Sequence, residues 1–599
     1  MSETLRSREE IPQEYKWRLE DIFASDQDWE TMFSETEKMI GLSAKYQGQL
    51  AGGADIFVEC MEWADRYSLN LEELFTYARM RRDEDNRISR YQGMTDRATM
   101  LSVQAGSALS FIVPEILAIP DERFSEIRQD ERLQIYHHYL ENILRQKQHV
   151  LSLAEEKILA ETGELASAPS TIFSMANDAD LKIGPIKDEE GREVELTKGN
   201  FIRYMESKDR RVRQDAFTTM YAAYGKQINS WAAMLGASVK ADVFYARVRH
   251  YDSAIQGTLD DDKVPLSVYD ALIQTVHDYL PQFQRYIQLR KKVLGVTELH
   301  MYDIYVPFVP EMDTHIPFEE AKSIVREGLK PLEEEYLDIL DEGFRSGWID
   351  IYENIGKTSG GYSWGTYSSH PYVLLNHQNT LDSLFTLAHE MGHSLHTYLS
   401  NKNQTHLYAG YKIFVAEVAS TLNESLVMRH MINASNDSKM KAYLINHYLE
   451  QFRGTVFRQT MFAEFEKEIH AAAERNESLT ADYLSEIYRD LNLKYFGSDI
   501  VLDEQINMEW TRIPHFYNAF YVYKYATGFS AATALAQQIV QEGEPAVQRY
   551  LAFLSSGGSD YPIELLRKAG VDMEKPEPVK QALDVFVELL DQLEKLVGE

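Results

Sequence analysis

Apolar residues recur at intervals of three and four along most of this 599-residue chain. In ERLQIYHHYLENILRQKQHVLSLAEEKILAETGELA, Leu133, Tyr136, Leu140, Ile143 and Leu144 fall on one helical stripe with charged residues between them. KDRRVRQDAFTTMYAAYGKQINSWAAMLGASVKADVFYARVR is a long helical run, and residues 265 to 345 add further amphipathic helices. A mainly α fold is expected. Two stretches break the period. LKIGPIKDEEGREVELT sets two short β-prone runs around the turn-forming residues Asp188 to Gly191, which predicts a hairpin. A boundary is expected there, between an N-terminal helical domain at 1–185 and a second domain at 186–599. In IGKTSGGYSWGTYSSHPYVLLN, glycines at 356, 360, 361 and 365 predict an irregular, mobile loop. Pro371 followed by Tyr372, Val373, Leu374 and Leu375 predicts a short strand. Asn379 or Thr380 can then cap a new helix whose first turn carries Asp382.

A chain this long can bury a large core and still leave a cleft. Hydrophobic residues make up 44% and charged residues 26%, the balance of a folded globular protein. The net charge of −33 repels phosphate backbones and anionic lipid, so neither nucleic acid nor membrane is an expected partner. No window forms an uninterrupted apolar run long enough to span a bilayer, and the charged opening holds no apolar secretory core. The single cysteine, Cys60, excludes an intramolecular disulfide and suits a reducing compartment, so a cytoplasmic protein is expected.

The predicted helix after Thr380 contains LAHEMGHSLH. His389 and His393 are four residues apart, so both imidazoles point to one side, while Glu390 is turned by roughly 100° and sits beside a shared ion. This is the HExxH layout of a zinc site. Leu384, Ala388, Met391, Leu395 and Tyr398 form an apolar stripe on a different line from the histidines. Catalytic zinc takes three protein ligands and keeps a position for water. A metzincin-type third histidine is excluded because that position is Leu399. Glu417, in the helical stretch KIFVAEVASTLNESLVMRH, is the expected third ligand, and Glu424 on the same face suits a partner that holds a histidine in its tautomer. His396 lies too far along the helix from His389 to share the ion and is expected to pack or to support it, and His137 and His138 are expected to be structural. The expected chemistry is peptide hydrolysis by a metal-activated water with Glu390 as the general base. RIPHFYNAFYVYKYATGFS supplies candidate donors to the oxyanion in His515, Tyr517, Tyr521, Tyr523 and Tyr525.

Together, HEMGHSLH, Glu417 in FVAEVAST and HFYNAFYVYKYATG resemble the thimet-type zinc oligopeptidases, and more closely their oligoendopeptidase F branch. EIPQEYKWRLEDIF, SKDRRVRQDAF and the YVLLN strand extend the likeness over nearly the whole chain. The resemblance implies an elongated, mostly helical zincin-like molecule with a deep internal channel and a small sheet beside the metal helix. It implies one zinc per chain and short oligopeptide substrates. It carries metal binding to His389, His393 and Glu417, the base to Glu390, and the oxyanion contacts to His515 and Tyr523. Longer family members have a glycine-rich loop here, whereas this chain has only Gly528 nearby, which leaves Tyr521 as the alternative to Tyr523.

Two rival readings stay open on the residues. A dipeptidyl carboxypeptidase on the same scaffold would need a cationic clamp for the substrate's C-terminal carboxylate. A non-catalytic zinc-containing peptide-binding protein would need a closed site, which one cysteine disfavours. Manganese or cobalt could also fill such a ligand set. The YVLLN strand is expected to offer a free edge to an extended peptide. Subsite preference and oligomeric state leave no mark in the sequence.

Overall fold

The computed structural model describes residues 5–309, 312 and 314–598. The chain is 73% helix and 3% strand, in line with the apolar periodicity. It divides into two compact units, each built from three separate segments. One comprises Met1–Gln148, Thr314–His430 and Gln538–Gly570, and the other His149–Asp313, Met431–Gln537 and Val571–Glu599. This cut differs from the linear division at 185/186. Periodicity reports where elements lie along the chain, not which distant segments share a core.

In the first unit, the long helix Ala54–Glu84 packs against Ser89–Leu109 and against the N-terminal segment. Trp17, Trp29, Leu74, Tyr77 and Met80 share a core cluster with Tyr372 and Leu374. The stripe of Leu133, Tyr136, Leu140 and Ile143 is buried as expected. Ser89–Ala118 holds an 18-residue window of mean hydropathy 1.4, long and apolar enough by those two measures to cross a membrane, although polar residues interrupt it. Its helix buries Met94, Ala98, Leu101 and Ala105 and leaves Met100 and Val103 exposed.

The expected strand forms at Tyr372–Leu374, but as the middle strand of three. It pairs in parallel with Ile349–Asp350 and antiparallel with Tyr362–Trp364, so both its edges are taken. The edge strands are Ile349–Asp350 and Tyr362–Trp364. The glycine-rich loop before the latter is pinned: Thr358 N–H donates to Asp83 O at 3.0 Å, and Asn376 Nδ2 donates to Thr358 O and Gly360 O at 3.0 and 2.8 Å. A side chain at Gly356, whose φ is +83°, would meet Asp85 Oδ1 at 2.2 Å, so glycine here serves close approach instead of motion.

A buried charge cluster ties the N-terminal segment to this sheet. Asp350 takes both terminal nitrogens of Arg8, at 2.8 and 2.5 Å, and Lys357 Nζ at 2.7 Å. Lys357 also donates to the carbonyls of Tyr352 and Leu375, at 2.7 and 2.5 Å. Ile351 N–H bonds to Tyr15 O, and Arg18 N–H to Gly347 O.

The second unit contains the predicted hairpin, Gly184–Lys187 with Glu193–Leu196, closed on the turn that starts at Asp188. Asp188 Oδ1 accepts the backbone N–H groups of Glu190 and Arg192, the Asx chemistry that the sequence signalled. The helices Arg210–Gly225, Ile228–Val248 and Leu266–Leu294 account for the long periodic runs.

Candidate metal centre

The HExxH helix spans Leu381–Asn403 and starts where Thr380 Oγ1 accepts the Ser383 N–H at 3.2 Å. Leu384, Ala388, Met391 and Leu395 are wholly buried, while His389 and His393 are only partly so. The next long helix, Ile413–Ala434, packs directly on it. Gly392 allows the approach: a Cβ there would lie 2.6 Å from Ser420 Cα and 2.7 Å from Ala419 O. Asn423 Nδ2 donates to Ala388 O at 3.2 Å, and Tyr336 Oη donates to Asn423 Oδ1 at 2.8 Å, which fixes the two helices against each other.

That contact delivers two carboxylates to the histidines. Glu417 Oε2 lies 3.4 Å from His389 Nε2 and 3.7 Å from His393 Nε2, and the three ligand atoms lie within 4.8 Å of one another. Tetrahedral zinc with bonds near 2.0–2.1 Å places its ligand atoms roughly 3.3–3.5 Å apart, so the set fits such an ion. On the far side of the ring, His389 Nδ1 donates to Glu424 Oε1 at 2.6 Å, leaving the Nε2 lone pair for a metal. His393 donates to the Ala416 carbonyl.

The imidazoles cannot both carry charge with their centroids 4.8 Å apart. Burial lowers the His389 pKa, but Glu424 more than offsets it and lifts the group to about 9. Burial, then the His389 charge, bring His393 down to about 4. Glu390 is 8% exposed. Burial pushes its carboxyl up to about 7, opposed by His389 and assisted by repulsion from Glu417. Ser363 N–H, from the edge strand, donates to this carboxylate, and Ser363 Oγ bonds to Ser394 Oγ at 2.8 Å. A side chain at Gly361 would come within 3.6 Å of Glu390 Oε1. Glu390 and the strand Tyr362–Trp364 are therefore in contact.

His396 is packed, not joined to the centre: its ring stacks on Tyr411 at 3.7 Å and lies 5.6 Å from Phe553. His138 packs edge-on against Tyr561 at 4.8 Å. In the second unit, the Tyr525 hydroxyl lies 3.4 Å from His515 Nε2, and the Tyr521 ring lies parallel to the His515 ring at 6.3 Å. Tyr523 is fully buried, its ring 5.0 Å from that of Tyr269. Tyr517 stacks on Phe173 at 4.3 Å. Sequence reasoning missed Gly392, Gly361 and Ser363. A glycine inside a helix between two ligands was the one available signal, since it points to a close backbone approach.

The profile of peptidase family M3 matches residues 203–585, and that of the Oligopeptidase F N-terminal region matches 115–183. The chain is 48% identical over 594 residues to oligopeptidase PepF of Bacillus subtilis, covering 99% of this chain and 89% of that protein. It is 40% identical to the plasmid-encoded oligoendopeptidase F of Lactococcus lactis subsp. cremoris, covering 99% of each. The crystal structure of oligoendopeptidase-F from Enterococcus faecium superposes with a TM-score of 0.75 at 38% identity, covering 96% of this chain and 99% of that one.

Proposed function

This chain belongs to peptidase family M3, and from that premise we propose that it is a zinc-dependent endopeptidase acting on internal bonds of short oligopeptides. The observation that carries the reading is the convergence of His389 and His393 Nε2 on Glu417 Oε2, with the buried Glu390 alongside. One zinc ion held by these three residues supplies Lewis acidity toward water and the scissile carbonyl. Glu390 takes the proton of the attacking water and returns it to the leaving amine, a task suited to a carboxyl poised near neutral pH. Glu424 holds the His389 tautomer. An extended peptide pairs with the edge strand Tyr362–Trp364, which aligns its backbone beside Glu390 through generic main-chain bonds. We assign the oxyanion contacts to His515 and a neighbouring tyrosine hydroxyl, and the pairing of His515 with Tyr525 and Tyr521 favours one of those two over Tyr523. The names of the relatives support endopeptidase action over removal of C-terminal dipeptides. A lone, buried cysteine supports a cytoplasmic location.

The test is Glu390→Gln assayed on an internally quenched peptide blocked at its C-terminus. Zinc content stays at one per chain while kcat/KM falls by about 10²–10⁴-fold. Turnover near the wild-type rate sinks the assignment of the base.

A further inference from the structure

The second unit holds a cluster of arginines that outnumber the described carboxylates paired with them. Arg453 lies in a π-helical turn, Phe452–Phe457, and Arg458 follows directly. Bonding from i to i+5 in such a turn carries side chains five residues apart round to one side, and such turns are frequent at functional sites. With Arg512, the last residue of the 3-10 helix Glu504–Arg512, these two line one cavity of about 20 Å³, together with Tyr305 and Glu509.

Arg458 and Arg512 both donate to Glu509 Oε1, at 2.8 and 2.6 Å. Arg453 Nε donates to Glu450 Oε2 at 2.7 Å, and Arg290 donates to the other oxygen of Glu450. Among the described residues, four guanidiniums therefore share two carboxylates. Burial opposes ionisation of Glu450 and Glu509, but the arginines outweigh it and hold both near 2, so each contributes a full negative charge. Tyrosines also favour charge on Arg453, Arg458 and Arg512: Tyr221, Tyr286, Tyr305 and Tyr488. Arg453 is 8% exposed, its guanidinium lies 4.9 Å over the Tyr305 ring, and only its Nε has a hydrogen-bond partner among the described residues.

Arg453 is buried and Arg458 and Arg512 are partly so, and guanidinium charge held away from water is costly unless paired, so the excess over the two carboxylates calls for a counter-ion. A chain of net charge −33 repels anions in general, which makes a walled cationic cavity within it selective by contrast. Size narrows the class of ligand. A single water needs roughly 10–15 Å³, so a cavity of about 20 Å³ is small and suits a compact ion such as a halide. We infer that the cavity binds one halide ion, chloride in the cell, between Arg453, Arg458 and Arg512, and that the ion fastens the π-helical turn to the Glu504–Arg512 helix. The inference is independent of the peptidase chemistry.

The test uses the full-length protein at constant ionic strength, with sodium gluconate exchanged for sodium chloride. The melting temperature of the wild type rises saturably by about 1 °C or more as chloride replaces gluconate, and Arg453→Gln removes that response. Crystals soaked in sodium bromide show an anomalous peak in the cavity. A wild type indifferent to chloride, or a bromide map without a peak between Arg453 and Arg512, overturns the site. Should R453Q fail to fold, the wild-type bromide map alone decides.

Discussion

Glu424 Oε1 sits 2.6 Å from Nδ1 of His389, on the opposite side of the ring from the nitrogen that faces Glu417. A carboxylate in that place orients the imidazole and raises its basicity toward a metal. Glu424→Gln therefore weakens zinc binding by about 10–100-fold, read by competition with a chromophoric chelator, while kcat at saturating zinc changes much less. Equal losses in both quantities would show that Glu424 does more than orient the ligand.

Gly392 carries the helix contact on which Glu417 depends. In Gly392→Ala the new methyl must displace Ser420 Cα and Ala419 O, both backbone atoms that cannot rotate away. The expected cost is about 1–3 kcal/mol or more, seen as a lower melting temperature, together with weaker zinc binding as the Glu417 helix is pushed outward. Unchanged zinc affinity would mean that the two helices can separate without moving the ligand.

The HExxH helix, its Thr380 cap and the grouping of Glu417 with the two histidines were legible because each rests on local periodicity or on ligand chemistry. The hairpin at Asp188 was legible for the same reason. What was hidden was tertiary. The strand at Tyr372–Leu374 was readable, but its central position was not, because its partners come from residues 349–350 and 362–364 and pairing order leaves no periodic trace. The glycines from 356 to 365 signalled freedom, whereas Gly356 is glycine because Asp85 leaves no room. The tyrosines after His515 alternate in a run of aromatics, and only packing separates the buried Tyr523 from Tyr525 beside the imidazole.

Lys357 is fully buried and neutralises Asp350 together with Arg8. Removing one partner of a buried ionic cluster leaves charge without compensation. Lys357→Met is expected to destabilise by about 3 kcal/mol, and the K357M/D350N pair to recover part of that loss in thermal denaturation. Additive losses in the double variant would mean that the two side chains act independently.

Glu466 is fully buried, and its Oε1 accepts the Phe520 N–H at 3.0 Å, where Phe520 adopts a left-handed φ of +55° one residue before Tyr521. Burial, with added repulsion from Asp242, pushes this carboxyl well above the usual range, so it stays protonated in the fold. Above about pH 4.3 the unfolded chain ionises this group while the fold does not, and stability falls by about 1.4 kcal/mol per pH unit until the folded pKa is reached. Glu466→Gln keeps the acceptor and removes that penalty. Its melting temperature relative to wild type should climb steadily from pH 4 to pH 7, and a flat difference across that range would place an ionised carboxylate there.

The unit that holds the HExxH helix is assembled from stretches ending at Gly570, and its Arg8–Asp350 contact joins residues 342 apart in sequence. Contacts of such span form late. During synthesis the amino-terminal segment leaves the ribosome hundreds of residues before the strand it braces exists. The HExxH helix likewise emerges before the closing segment Gln538–Gly570 of its own unit. A ribosome translating this message therefore carries no complete HExxH unit until the segment through Gly570 has been made.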